Sequence, residues 1–135
     1  MPNSTFTIGN LSKETGVKIV TIRYYEQIQL LAPPCRTSAN YRAYNVDHLR
    51  TLRFIRRCRD LGFTLDQVRA LLALSSRQDR SCSEVDQITA LHLVEIETKI
   101  ADLTRLASEL RRISHSCKSD RLISECRILE ALSPA

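Results

Sequence analysis

Val20-Thr21-Ile22-Arg23-Tyr24-Tyr25-Glu26 is the stretch on which the fold turns. On a helix from about Ile19 to Gln27, Ile22 and Tyr25 stand three apart, share one face and point inward. Thr21, Arg23 and Tyr24 are left outward, and a hydroxyl, a guanidinium and a phenol are groups that meet phosphates and base edges. Just upstream, Phe6-Thr7-Ile8 reads as a short extended segment, with Thr7 capping a helix through about Thr15 and Gly16 stopping it. Ile8, Leu11 and Val17 supply an apolar side there. Two short helices joined at a glycine form a helix-turn-helix pattern.

Downstream, Leu30-Leu31-Ala32-Pro33-Pro34 breaks the second helix. The next residues hold Arg36, Asn40, Tyr41, Arg42 and Tyr44, and alternating Tyr and Arg around a polar turn suit a short two-stranded wing. Helix-turn-helix plus wing makes a winged helix. Asn45 then caps an amphipathic helix to about Leu61, with Val46, Leu49, Leu52, Ile55 and Cys58 or Arg59 at helical spacing. Its other face carries Arg50, Arg53, Arg56, Arg57 and Arg59. Gly62 stops this helix, and Thr64 caps a fourth one lined by Leu65, Val68, Leu71, Leu72 and Leu74.

The whole chain has 135 residues, 43% of them hydrophobic and 26% charged, which suits a folded protein with one small domain and an appendage. Three Phe, no Trp and only three Gly argue against a large single core or a many-stranded sheet, so the fold is mostly α. Charge is uneven. Residues 1–75 carry eleven Lys and Arg against five Asp and Glu, whereas residues 76–135 carry nine against ten. A basic half on a near-neutral half suggests a polyanion-binding head. No apolar run reaches the roughly 18 residues of a membrane helix, and no signal peptide is visible, so the expected place is the cytoplasm, without a membrane partner. Thiols stay reduced there, and the five cysteines point to burial, redox sensing or metal binding rather than to disulfides.

After a polar connector from Ser75 to Ser81, residues 83–112 contain neither Gly nor Pro. From Leu93 the apolar residues Ile96, Ile100, Leu103, Ala107 and Leu110 follow in steps of three and four, a heptad-like seam. One narrow stripe on so long a helix cannot bury itself, so a two-stranded coiled coil between subunits is expected, giving a homodimer.

Thr7-Ile8-Gly9, Thr21-Ile22-Arg23-Tyr24-Tyr25-Glu26, Leu30-Leu31, Asn40-Tyr41-Arg42-Ala43-Tyr44, Phe54-Ile55-Arg56-Arg57 and Leu61-Gly62-Phe63-Thr64-Leu65 occur in that order. Together they resemble the signature of the MerR family. The resemblance implies a winged-helix dimer that bends and untwists a promoter with an overlong spacer, working with RNA polymerase holoenzyme there. It places DNA contacts on the second helix and the wing, here Thr21, Arg23, Tyr24, Arg36, Asn40, Tyr41 and Arg42. For Tyr25 packing is favoured over readout; for Tyr44 both stay open. The resemblance also makes the coiled coil antiparallel.

In that arrangement Cys82, at the start of the long helix, approaches Cys117 and Cys126 of the other subunit, past the helix's far end. Three thiolates favour soft ions such as Hg(II), Pb(II) or Cd(II), and the chain resembles the mercury-, lead- and cadmium-sensing members in carrying a cysteine in each place. Copper(I) sensors lack the helix-start cysteine, and iron–sulfur members need four clustered ones. Zinc fits less well but stays open, since it accepts three thiolates with a nitrogen or water. A thiol redox switch on Cys117 and Cys126, and a purely architectural DNA-binding protein, also stay open. Cys58 is expected to be a small core residue and Cys35 incidental.

The domain expectation is a winged-helix head over 1–75, connector and dimerisation helix over 76–112, and a metal-binding loop with a short helix over 113–135. An enzyme is not expected. His48, His92 and His115 are scattered, and no nucleophile–base order, phosphate loop or carboxylate pair is present.

Overall fold

The computed structural model describes residues 5–116, 120 and 122–133. They form two compact units, one running up to Val85 and the other from Asp86 onward.

The first unit opens with α1 (Ile8–Thr15) and α2 (Ile19–Gln27). Thr7 caps α1 by accepting from the Asn10 amide, and the Gly16 amide closes it by donating to Ser12 from a left-handed backbone, φ 72°. Strand β1 (Cys35–Arg36) pairs antiparallel with β2 (Arg42–Ala43), in the register Cys35 to Ala43 and Arg36 to Arg42. Two backbone hydrogen bonds between Phe6 and Tyr44 tie the chain's first described residues to the base of this wing.

Helix α3 (Val46–Asp60) starts at a reciprocal cap: the His48 amide donates to the Asn45 side chain, and the Asn45 amide donates to His48 Nδ1. Nδ1 is therefore the bare ring nitrogen, and Nε2–H is left to donate to the Ala32 carbonyl at 3.1 Å. Helix α4 (Leu65–Ser75) begins with the same device between Thr64 and Gln67. Leu11, Ile22, Leu31, Tyr44, Leu52, Ile55 and Val68 are fully buried and form the core, with α3 packed on both α1 and α4.

The second unit is mostly the remainder of α5 (Ser83–Ser114), 32 residues long, followed by a 3₁₀ turn at Ile123–Glu125 and α6 (Arg127–Leu132). Among its described residues, only His92 and Ile113 are buried. Leu93, Ile100, Leu103 and Leu110 of the seam are exposed, as are Leu91, Val94 and Leu106 beside them. No described helix is long and apolar enough to cross a membrane.

The mostly helical reading holds, with helix limits falling within one or two residues of those expected from caps and glycines. Two expectations along α3 need correction. Val46 faces outward, while His48, read as one of three scattered histidines, is buried as the cap of this helix and stacks edge-on against Tyr44 at 5.2 Å. Position 46 is the first residue of the helix, where the chain is still turning in, and a histidine can replace an apolar side chain inside because both its nitrogens are satisfied.

Candidate nucleic-acid interface and metal-binding cysteines

Helix α2 presents its two faces as expected. Ile22 and Tyr25 are buried, Arg23 and Tyr24 are exposed and Thr21 is half-buried. No basic side chain lies in the last turn of this helix. Instead, Arg69 on α4 reaches across, its Nη2 donating to the Ile28 carbonyl at 2.7 Å and its Nη1 to that of Gln29 at 3.3 Å. The carbonyls that a helix leaves unpaired at its C-terminus attract a cation, so α4 fixes where the outward face of α2 stops.

The wing carries Arg36, Asn40, Tyr41 and Arg42. Its turn is held by Thr37, whose amide donates to the Tyr41 carbonyl and whose hydroxyl accepts from the Tyr41 amide. Asn40 sits at φ 66°, a left-handed position that asparagine tolerates better than most residues. Arg36 and Arg42 are directly opposite, and two cations in cross-strand register repel. Each is given its own partner: Arg36 Nη1 donates to the Asn40 carbonyl at 3.1 Å, and Arg42 Nη1 lies 3.8 Å from Glu26 Oε2. Tyr41 is exposed on this surface, and Arg36, Asn40, Tyr41 and Arg42 line a cleft together with Thr7 and Ile8. All four wing residues thus share one surface.

Tyr44 lies beneath it, fully buried, with its hydroxyl donating to Glu26 Oε1. Burial first, then the hydrogen bond and charge of Glu26, push its phenol up to about 12, against the pull of Arg42. Of the two readings the sequence left open for Tyr44, its burial fits packing, and neither anticipates the hydroxyl's bond to Glu26.

The arginine-rich face of α3 is not all free for a polyanion. Arg56 Nη1 donates to the Thr15 carbonyl at the end of α1, and Arg59 Nη1 to the Phe63 carbonyl, both at 2.7 Å. Arg53 pairs with Glu14 at 3.9 Å. Sequence reasoning missed Arg56, Arg59 and Arg69 as structural groups. The one local signal was for Arg69: α2 has no basic residue in its last turn, whereas α1 carries Lys13 there and α3 carries Arg57 and Arg59.

The cysteines fall in separate environments. Cys82 is exposed in the residue before α5, in the first unit, and Cys126 is half-buried at the N-cap of α6, in the second. Cys117 lies outside the described residues. Among the described residues no three His, Cys, Asp or Glu side chains gather where they could hold a metal ion. Cys58 is buried on α3, and that burial pushes its thiol up, as fits a small core residue. Cys35 is exposed on β1.

An outward helix face beside a basic, aromatic two-stranded wing defines a winged helix-turn-helix DNA-binding protein. Residues 6–75 match the MerR HTH family regulatory protein family, and residues 49–113 match the family described as MerR, DNA binding. The chain belongs to the MerR family of DNA-binding transcription regulators, which are not enzymes. It is 40% identical over 126 residues to heavy metal-dependent transcription regulator 2 of Rhizobium meliloti (strain 1021), covering 93% of this chain and 85% of the relative. The structure resembles that of the regulator PbrR691 from Ralstonia metallidurans CH34 in complex with lead(II), with TM-score 0.83, 40% identity, and 95% and 99% of the two chains covered. It also resembles MerR from Bacillus megaterium MB1 in complex with mercury(II), with TM-score 0.72, 35% identity, and 94% and 98% covered.

Proposed function

We propose that this chain is a metal-responsive activator of metal-resistance genes that works as a homodimer on promoter DNA, with a soft divalent ion as its inducer. The observation that carries the reading is the pairing of a DNA-facing head with three cysteines, Cys82, Cys117 and Cys126, placed about the two ends of α5. Thiolate is a soft, anionic donor, so three of them suit Hg(II), Pb(II) or Cd(II) before zinc. The relatives with lead(II) and mercury(II) bound support the same class of ion.

At 1.5 Å per residue a 32-residue helix is about 48 Å long, and such a length between Cys82 and Cys117 in sequence favours a site shared by two subunits. In an antiparallel pair of helices, Cys82 of one subunit joins the partner subunit's Cys117 and Cys126, giving two sites per dimer. The exposed stripe from Leu93 to Leu110 is the surface that would pair. Thr21, Arg23 and Tyr24 from α2, with Arg36, Asn40, Tyr41 and Arg42 from the wing, are the proposed DNA contacts. The protein then acts in the cytoplasm, with RNA polymerase holoenzyme at the promoter.

Titration with Hg(II), Pb(II), Cd(II) and Zn(II), followed by promoter footprinting and transcription in vitro, tests this reading. One ion per cysteine set should switch transcription on. Serine at any of the three positions keeps the shape but removes the soft donor, and should abolish induction while leaving DNA binding intact. Mixed dimers of Cys82→Ser and Cys117→Ser chains keep one complete site and should regain part of the response. No recovery in verified mixed dimers would count against a site shared between subunits. Induction by peroxide without metal would replace the metal reading with a redox switch.

A further inference from the structure

Glu26 stands out on the DNA-facing side of the head. It is a carboxylate beside a wing that carries Arg36 and Arg42, where a phosphate backbone would repel it. Its side chain is only 12% exposed, and both oxygens are engaged: Oε1 accepts from the Tyr44 hydroxyl, and Oε2 faces Arg42 Nη1 at 3.8 Å. Tyr44 is in turn anchored: fully buried, bonded through its backbone to Phe6 and packed edge-on against His48. Arg42 is the most exposed of these groups, at 37% for its side chain, although its Nη1, the nitrogen facing Glu26, is buried and makes no hydrogen bond among the described residues. The chain of contacts therefore runs from the fixed core, through a carboxylate on α2, to a guanidinium on the wing whose one buried nitrogen faces that carboxylate while the side chain stays partly exposed.

We propose that Glu26, held by Tyr44, is a positioning residue that sets the orientation of Arg42 relative to α2 and so determines which DNA sequences the head prefers. This rests on the reading of α2 and the wing as the DNA-facing surface. Two separate reading elements discriminate sequence only if their spacing is fixed, because a loose arginine can find a phosphate on any duplex. A carboxylate in this position costs general affinity through repulsion, which a specificity role accounts for and a packing role does not.

The two kinds of affinity separate the possibilities. The probes are the duplex that the wild-type chain selects from a randomised pool and a random duplex of equal length, titrated at two salt concentrations. Glu26→Gln keeps the size and an acceptor for the Tyr44 hydroxyl but removes the charge facing Arg42. Affinity for the selected duplex should fall about tenfold, while affinity for random duplex holds or rises as one repelling charge is lost. Tyr44→Phe keeps the charge and frees the carboxylate, so it should move the ratio the same way, about threefold. Arg42→Lys is the safeguard if either variant folds poorly. It keeps the positive charge but loses the planar fork, and should retain random-duplex affinity while losing preference. Affinities that fall in parallel, or an unchanged ratio in all folded variants, would overturn the proposal. If the wild-type chain selects no duplex, the DNA-facing reading itself fails, and Glu26 is not the cause.

Discussion

The head and the long helix solve the same problem, an apolar face and unpaired backbone ends, by opposite means. In the head, arginines of the same unit bond backbone carbonyls at or past the helix ends: Arg56 on the end of α1, Arg69 on the end of α2, and Arg59 on the Phe63 carbonyl in the turn after α3. Much of its apolar surface is turned inward, with Tyr44, Leu11, Ile22, Leu31, Leu52, Ile55 and Val68 fully buried. Along α5, by contrast, Leu103 is 64% exposed and Leu110 62%, with Leu91, Val94 and Leu106 exposed beside the seam. The head can thus be stable by itself, whereas the apolar stripe of α5 calls for a second surface. The two regions should therefore respond very differently to single changes.

Leu103→Asp should give the largest effect. It places a carboxylate in the middle of the stripe, and in a symmetric dimer two of them would be desolvated together. Sedimentation should show monomer, and operator affinity should fall by about a hundredfold or more as dyad-related heads are uncoupled. Circular dichroism should show the head still folded. A variant that stays dimeric, or a monomer with full operator affinity, breaks the contrast.

Within the head, Gly16→Ala should be the most damaging small change. An added Cβ would lie 1.6 Å from Arg56 Nη1, and the left-handed φ of 72° disfavours any L side chain. The guanidinium can swing away, but only by giving up its bond to the Thr15 carbonyl. Together these should remove about 2–3 kcal/mol of stability in a denaturant titration. Arg56→Ala alone should cost about 1 kcal/mol, and the double variant less than the sum. Full additivity would mean that the two positions do not share one contact.

These contacts also show what could be read in the chain and what could not. Thr7, Gly16, Asn45 and Thr64 mark helix limits through bonds to residues within a turn, so their meaning is local and visible in sequence. Arg56 and Arg69 act on carbonyls about forty residues away, and on a helical wheel they look like part of a solvated basic face. His48 was illegible for a related reason, since its ring is satisfied by Ala32, sixteen residues back. At the interface, the outward face of α2 followed from spacing alone, but the Glu26 contact with Tyr44 did not. The three cysteines stand out in the sequence by type, as soft donors. Their proposed grouping calls on a second chain, which no single sequence pattern displays.

Alkaline pH offers a finer probe of the head. Tyr44 is raised from 10.0 to about 12, so between those values an unfolded phenol loses its proton while the folded one keeps it. The contribution is complete below pH 10 and is lost as pH climbs toward 12, with a slope of up to about 1.4 kcal/mol per pH unit. Denaturant titrations at rising pH should show the gap between wild type and Tyr44→Phe narrowing across that window. A constant gap would mean that the Tyr44 hydroxyl titrates like a free phenol.

Arg23→Ala should have the smallest effect on the fold and a modest one on binding. Arg23 is exposed on α2, next to the half-buried Thr21 and the exposed Tyr24, and lacks the kind of carbonyl partner that holds Arg56 and Arg69. Its removal should leave unfolding within about 0.5 kcal/mol of wild type, as for other surface changes, and lower operator affinity by about 1–3 kcal/mol. The salt dependence tells which kind of contact is lost. If Arg23 touches a phosphate, all duplexes should weaken alike and the slope against log salt should flatten by about one. If it reads a base edge, the slope should stay near its wild-type value while discrimination relaxes at one base pair. Arg56→Ala should do neither, since its guanidinium is already occupied inside the head; a change of salt slope there as large as for Arg23 would erase the division between structural and DNA-facing arginines.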